Sequence, residues 1–438
     1  MILVFREFDY DNKPIVDIVN EMILDAVKHG GSDIHFDPTE DELVVRIRVD
    51  GSLLEYAKVP ATVKKNLVTR IKIISGMNIT ETRLPQDGAI KGLIENMDVD
   101  LRVSSLPIVD GEKIVIRILD YRMSLNGLES IGLTKDNFTK INELIKKPNG
   151  IIMITGATGS GKSTTVYSML QVLNTSDRNI ITVEDPVEMK IEGINQVQVM
   201  SEIGLTFGNT LRSILRQDPD IIMIGEIRDD ETARIAVRAS ITGHLVLSTI
   251  HTNNSLNTIE RLLDMDVERY LLGSALSGIV SQRLVKKLCP KCRSVRATNT
   301  YEKNLFKKVL NMDVNQIYSP VGCNECINGY KGRIAIHEVL EITQDIRDAI
   351  VNNLRKEDLR KLVYSKDANT LLKDGLIKAM EGYTSMDEIV RVIDVNDDFG
   401  EDDQELKDAI IGKTNTTDNV SQTNNSNNPF VKTKIETL

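Results

Sequence analysis

Glycines at 156, 159 and 161, followed directly by Lys162, Ser163 and Thr164, make the stretch of this sequence with the plainest chemistry. Glycines let successive backbone N–H groups turn inward around an anion, and a helix that starts behind them adds partial positive charge. A lysine at that point reaches the β- and γ-phosphates, and a hydroxyl beside it is placed to ligate Mg2+. An apolar run, Ile151–Thr155, precedes the glycines, and Val166, Met169, Leu170 and Leu173 follow at helical spacing. Strand, loop and helix are the context that this chemistry needs. Gly156, Ala157, Thr158, Gly159, Ser160, Gly161, Lys162, Ser163 and Thr164 are the expected phosphate-binding set. ATP and Mg2+ are the expected ligands, with Ser163 on the magnesium.

Two further apolar runs end in acids, Thr182-Val-Glu184-Asp-Pro-Val-Glu188 and Asp220-Ile-Ile-Met-Ile-Gly225-Glu226. Ligands of open α/β sheets collect at the carboxyl ends of strands, where a carboxylate can orient water or hold Mg2+ through water. Gly225 stands where an aspartate is usual in such a run. The four cysteines form two Cys-x-x-Cys pairs, Cys289 with Cys292 and Cys323 with Cys326. Four soft thiolates suit Zn2+ in a closed, structural, tetrahedral site.

The elements that must position these groups follow from patterning. Residues 15–27 repeat at helical spacing, Leu43–Val49 alternates as a strand, and Asp50-Gly51 supplies a hairpin turn into Ser52–Tyr56. Strand-like text returns at Val99–Leu106 and Lys113–Leu119. Short apolar runs at Ile151–Thr155, Ile180–Val183, Ile221–Ile224 and Leu245–Ser248, with helical text between them, predict a mostly parallel sheet with flanking helices. Residues 258–288 and 343–392 read as helices. The expected divisions are an α+β domain (1–120), a linker (121–130), an α/β nucleotide core (131–288), a cysteine element (289–333), a helical region (334–395) and a disordered acidic, Asn-rich tail (396–438).

The chain has 438 residues, enough for two or three domains, and a net charge of -10. Eight acids and one lysine between Asp394 and Asp408 account for most of that charge, leaving a near-neutral body. With 4% aromatics and no Trp, a protein that coats DNA or stacks single-stranded bases is disfavoured. No apolar run approaches the roughly 20 residues of a membrane helix, and the start lacks the order of a signal peptide. A cytoplasmic protein is expected.

Longer motifs carry a family resemblance. Ile181-Thr-Val-Glu-Asp-Pro-Val-Glu188 resembles the Asp box of type II secretion and type IV pilus assembly ATPases. Leu215–Asp229 is similar to their Walker B region, and Thr242–Asn253 to their His box. Ser32–Pro38, Arg46–Gly51 and Arg83–Gly88 resemble the preceding domain. The cysteine pairs, the second followed by Ile-Asn-Gly-Tyr-Lys-Gly-Arg333, resemble the family's tetracysteine insertion. The resemblance covers about residues 15–393 and implies a RecA-like P-loop core, a PAS-like N-terminal α+β domain, the zinc element and a C-terminal helical cluster. It further implies a cytoplasmic homohexamer that hydrolyses ATP to drive pilin or pseudopilin assembly through an inner-membrane platform protein, with no direct nucleic-acid partner.

Carried over by position, Glu184 is the general base with Glu188 as second candidate. Glu226 belongs with Mg2+ and water, and His244 and His251 lie near the nucleotide. Arg102 and Arg117 close over the γ-phosphate. The cysteines favour assembly over retraction. The longer N-terminal docking domain of many members has no counterpart here, which implies a minimal, Gram-positive-like system. Pilus, secretion pseudopilus and DNA-uptake pseudopilus all fit this engine. A nucleic-acid translocase is the rival class.

Overall fold

The computed structural model describes residues 5–95, 97–119, 127–365 and 368–393. The tail expected at 396–438 and residues 121–126 of the expected linker lie outside the described residues.

Helix α1 (Ile15–Lys28) leads into β1 (Gly31–Pro38), β2 (Glu42–Val49) and β3 (Ser52–Pro60); after α2 (Ala61–Ile74) come β4 (Gln86–Ile94), β5 (Met97–Ile108) and β6 (Gly111–Ile118). The strands form one antiparallel six-stranded sheet, ordered β3-β2-β1-β6-β5-β4. Asp50 and Gly51 turn the β2–β3 hairpin with φ of 49° and 82°, the left-handed pair that a two-residue turn of this kind requires. Leu43, Val45, Ile47 and Val49 alternate inward along β2 onto Ile18, Met22 and Ile23 of α1. On β5, Leu101 and Val103 face the same core and leave Arg102 on the opposite face, directly across from Arg117 of β6.

The second sheet is built from α3 (Lys135–Ile145), β7 (Gly150–Thr155), α4 (Lys162–Leu173), β8 (Ile180–Glu184), β9 (Asn195–Gln198), α5 (Phe207–Ile214), β10 (Ile221–Ile224), α6 (Asp230–Ile241), β11 (Leu245–Ile250), α7 (Ser255–Asp264), α8 (Arg269–Ala275) and β12 (Leu276–Leu288). An arm follows, with β13 (Ser294–Ala297), α9 (Thr300–Leu310) and β14 (Gln316–Ser319), and the chain returns as β15 (Tyr330–Glu341). Helices α10 (Gln344–Val351), α11 (Lys356–Val363), α12 (Leu371–Met380) and α13 (Met386–Val392) close the described chain. The seven strands run in the order β15-β12-β7-β11-β10-β8-β9, all parallel except β15. Ile151 and Met153 of β7 enter one core, and Ile152 and Ile154 enter the other. Burial on both faces is why these strands read as continuous apolar runs.

Two expectations need correction. Residues 276–288, read as helix, form strand β12. Ile279 packs into one core and Val280 into the other, so the strand lacks the one-sided alternation that would mark it. Pairing with β7 and β15 decides its state, and Leu144 packs where a side chain at Gly278 would stand. The division expected between 333 and 334 falls inside β15. Within the expected linker, Leu128–Ile131 is a 3-10 turn whose Leu128 and Ile131 pack into the same core as α4.

Candidate active site

Strands β7, β8, β10 and β11 all deliver their carboxyl ends to one edge of the sheet, and the phosphate loop opens there. Backbone geometry explains the glycines. Gly156 has φ 149°, and a Cβ there would lie 2.4 Å from the carbonyl oxygen of Gln282. Gly161, at φ 91°, caps α4, so the first N–H groups of that helix face the cleft. Gln282 of β12 braces the loop: its amide donates to the Ser160 carbonyl at 2.8 Å and accepts from Thr165 Oγ1 at 2.7 Å. The Lys162 ammonium donates to the carbonyls of Gly156 (2.8 Å) and Ala157 (3.2 Å). Burial lowers its pKa, and the carboxylate of Glu226 works in the opposite direction.

The cleft beside the loop measures about 450 Å³ and is lined by Thr158, Gly159, Gly161, Lys162, Ser163 and Thr164, with Arg117, Glu184, Glu188, Glu226 and His251 across from them. Glu184 is 3% exposed at the end of β8. Its Oε1 accepts from Thr182 Oγ1 (2.5 Å) and Gln196 Nε2 (3.2 Å), and its Oε2 from the Tyr167 hydroxyl (2.5 Å). Glu226 pairs with Arg228 and lies 3.4 Å from His251 Nε2. The His251 pKa is lowered, first by burial and then by Lys162, which favours the neutral ring. Gly225 has a local reason: a Cβ there would stand 3.3 Å from the Glu184 Cα.

Arg117 reaches the cleft from the other sheet and pairs with Asp33 at 3.1 Å. Arg102, its cross-strand partner, holds Glu188 at 2.7 Å and the Val187 carbonyl at 3.2 Å. Two guanidiniums directly opposite each other repel, and the carboxylates of Asp33 and Glu188 offset that repulsion. His244 is a correction. It precedes β11, its carbonyl accepts from Gly150 N at 3.2 Å, and its ring bonds to the Ala239 carbonyl at 2.9 Å. That is the amino end of the strand, about 20 Å from His251 at the usual strand rise. The structure keeps it away from the cleft.

Sequence reasoning missed Tyr167, Thr182, Gln196, Arg228 and Gln282. Thr182 was within reach, because residues i and i+2 of a strand share a face. Gln196 comes close only through the parallel β8–β9 register, and Gln282 only once β12 is known to be a strand.

The four cysteine Sγ atoms lie within 4.8 Å of one another at the root of the arm, where β12 ends and β15 begins. The closest approaches are 3.9, 3.6 and 3.6 Å. Four thiolates about 2.3 Å from a central ion would stand about 3.8 Å apart, so the cluster fits a tetrahedral metal. The N–H groups of Gly322 and Cys323 donate to sulfur at 3.3 Å, as thiolates require. The thirty residues between the pairs are occupied by α9 and the β13–β14 ribbon.

Fold and cleft together define a P-loop ATPase. The chain belongs to the type II/IV secretion system protein family, whose model matches residues 9–391. It is 45% identical over 380 residues to the putative type II secretion system protein E of Escherichia coli K12, covering 86% of this chain and 77% of that one. The type IV pilus assembly ATPase PilB of Pseudomonas aeruginosa is 44% identical over 387 residues, covering 87% and 68%. The solved structure of the Legionella pneumophila ATPase DotB superposes with a TM-score of 0.65 at 23% identity, covering 88% and 97%, a likeness of fold.

Proposed function

We propose that this ATPase is the cytoplasmic, hexameric motor of a type IV pilus or type II secretion machine, peripheral to the membrane, working on pilins or pseudopilins through a platform protein. A competence pseudopilus is the closest alternative cargo. The carrying observation is that one sheet supplies both Arg117, which lines the cleft beside the phosphate loop of the other, and its cross-strand neighbour Arg102, which holds Glu188 of that cleft. A hydrolysis site shared between two sheets couples chemistry to their relative motion.

In this reading the six-stranded sheet carries the arginines, the strands and helices from β7 to β12 the nucleotide, the arm between β12 and β15 the metal, and α10 to α13 the helical support. Lys162 and the loop hold the triphosphate, Ser163 holds Mg2+, and Glu226 orients that ion's water. Glu184 takes the proton of the attacking water. His251 lies near the γ-phosphate, and Arg117 with Arg102 stabilises the charge spread over its oxygens. The neighbouring cavity of about 1,020 Å³, which shares Gly161, Thr164, Leu284 and Arg333 with the cleft, has room for the nucleoside. Cys289, Cys292, Cys323 and Cys326 hold a structural Zn2+.

The test is genetic. A deletion strain should lose surface pili, protein export or DNA uptake, and regain the lost trait with the wild-type gene but not with Lys162→Ala. A deletion that leaves all three intact would remove the reading.

A further inference from the structure

Tyr167 lies on α4, five residues beyond Lys162, and is 2% exposed. A phenylalanine would fill the same space; burying a phenolic hydroxyl is unfavourable unless it finds partners. It finds two. The oxygen donates to Glu184 Oε2 at 2.5 Å and accepts the Glu188 backbone N–H at 3.2 Å. Glu188 is the residue that Arg102 holds from the antiparallel sheet. Arg102, Glu188, Tyr167 and Glu184 therefore form one connected path from the N-terminal sheet to the cleft.

A carboxylate offers about four acceptor positions. Thr182 and Gln196 occupy Oε1, while among the described residues Oε2 accepts from the hydroxyl of Tyr167. The orientation of Oε2, and of the lone pair it has left, is thus fixed by a hydroxyl on the same rigid helix that begins with Lys162. Burial and the charge of Glu184 push the phenol pKa well above its ordinary value, so the group stays a donor throughout the working pH range.

We propose that Tyr167 is a positioning residue for hydrolysis: its hydroxyl aims the Glu184 carboxylate at the attacking water and ties that aim to the Arg102–Glu188 contact. This rests on Glu184 being the general base. A group held out of line by about 1 Å loses on the order of a hundredfold in rate, whereas the hydroxyl is engaged by Glu184 and the Glu188 backbone and not by the phosphate loop.

Tyr167→Phe should accordingly lower kcat by roughly tenfold to a hundredfold with KM and ATP Kd unchanged. The same change in a Glu184→Gln background should cost nothing further, because both act through one carboxylate. A Tyr167→Phe protein with wild-type kcat, with altered KM alone, or with an equal loss in both backgrounds would overturn the proposal. Should that variant fail to fold, difluorotyrosine at 167 keeps ring and hydroxyl while strengthening the donor. It should leave kcat within a few fold of wild type, and a loss as large as that expected of the phenylalanine would count against the role. Glu184→Gln that retains full turnover would remove the base reading itself. Glu184→Gln inactive beside a fully active Tyr167→Phe would remove only the tyrosine's part.

Discussion

His337 is fully buried on β15, and neither ring nitrogen has a hydrogen-bond partner among the described residues. Its backbone N–H donates to Asp374, whose carboxylate also takes the ammonium of buried Lys378 at 2.6 Å. Burial, then the charge of Lys378, lowers the His337 pKa well below its usual 6.5. The unfolded chain binds a proton below about pH 6.5 that the fold refuses, so stability falls as pH drops through that value. The slope from this one residue is at most about 1.4 kcal/mol per pH unit. His35 and His251 shift in the same direction, so the informative quantity is a difference. Urea midpoints at pH 5.5 and 7.5 should diverge less for His337→Gln than for wild type, and equal divergence would show that His337 does not carry the slope. Site residues differ in the same way in how far the sequence betrays them. The phosphate loop is legible because glycine spacing, lysine and flanking periodicity are all local. The environment of Glu184 is assembled from α4, β8 and β9 and is visible only in three dimensions.

Among the elements, β7, β8, β10 and β11 were readable as short apolar runs because each is buried on both faces. The same property hid β12, whose Leu284, Val285 and Leu288 also satisfy a helical spacing. The arm that β12 leads into is small. Asn299 and Glu302 close a capping box on α9, Arg293 lies 4.7 Å over the Tyr318 ring, and the two-stranded ribbon is too short to stand alone. Leu305, Phe306, Val314 and Ile317 pack it against α12 and α13, and a metal at the four sulfurs would add to that hold. Protein purified without chelator should hold about one zinc per chain, and Cys323→Ser should drop this to near zero while ATP binding at the distant cleft persists. Wild-type protein free of zinc by mass spectrometry would contradict the assignment.

At the scale of the whole molecule, polar contacts among the described residues join the two sheets. Gly332 N donates to Asp50 Oδ2 at 2.7 Å, Lys286 Nζ to Ser52 Oγ at 3.0 Å, and Arg102 holds Glu188. Each contact of this kind is worth about 1 kcal/mol, with Ile327 adding a small apolar contact to the N-terminal core. A join worth a few kcal/mol is of the size that ligand binding can shift. Arg117→Ala should leave ATP binding within a few fold and slow hydrolysis on the order of a hundredfold or more. Normal turnover in that variant would take the arginine out of the reaction.

Strand β12 ends one residue before Cys289 and carries Gln282 against the phosphate loop. The seven residues from Gln282 to Cys289 span about 23 Å, already close to the greatest length a backbone can reach. Such a segment cannot stretch. Tension applied to the arm along this axis would therefore load the brace behind the phosphates directly, like a rod joining a handle to a latch, with the pairing of β12 to β7 and β15 sharing that load with the sheet.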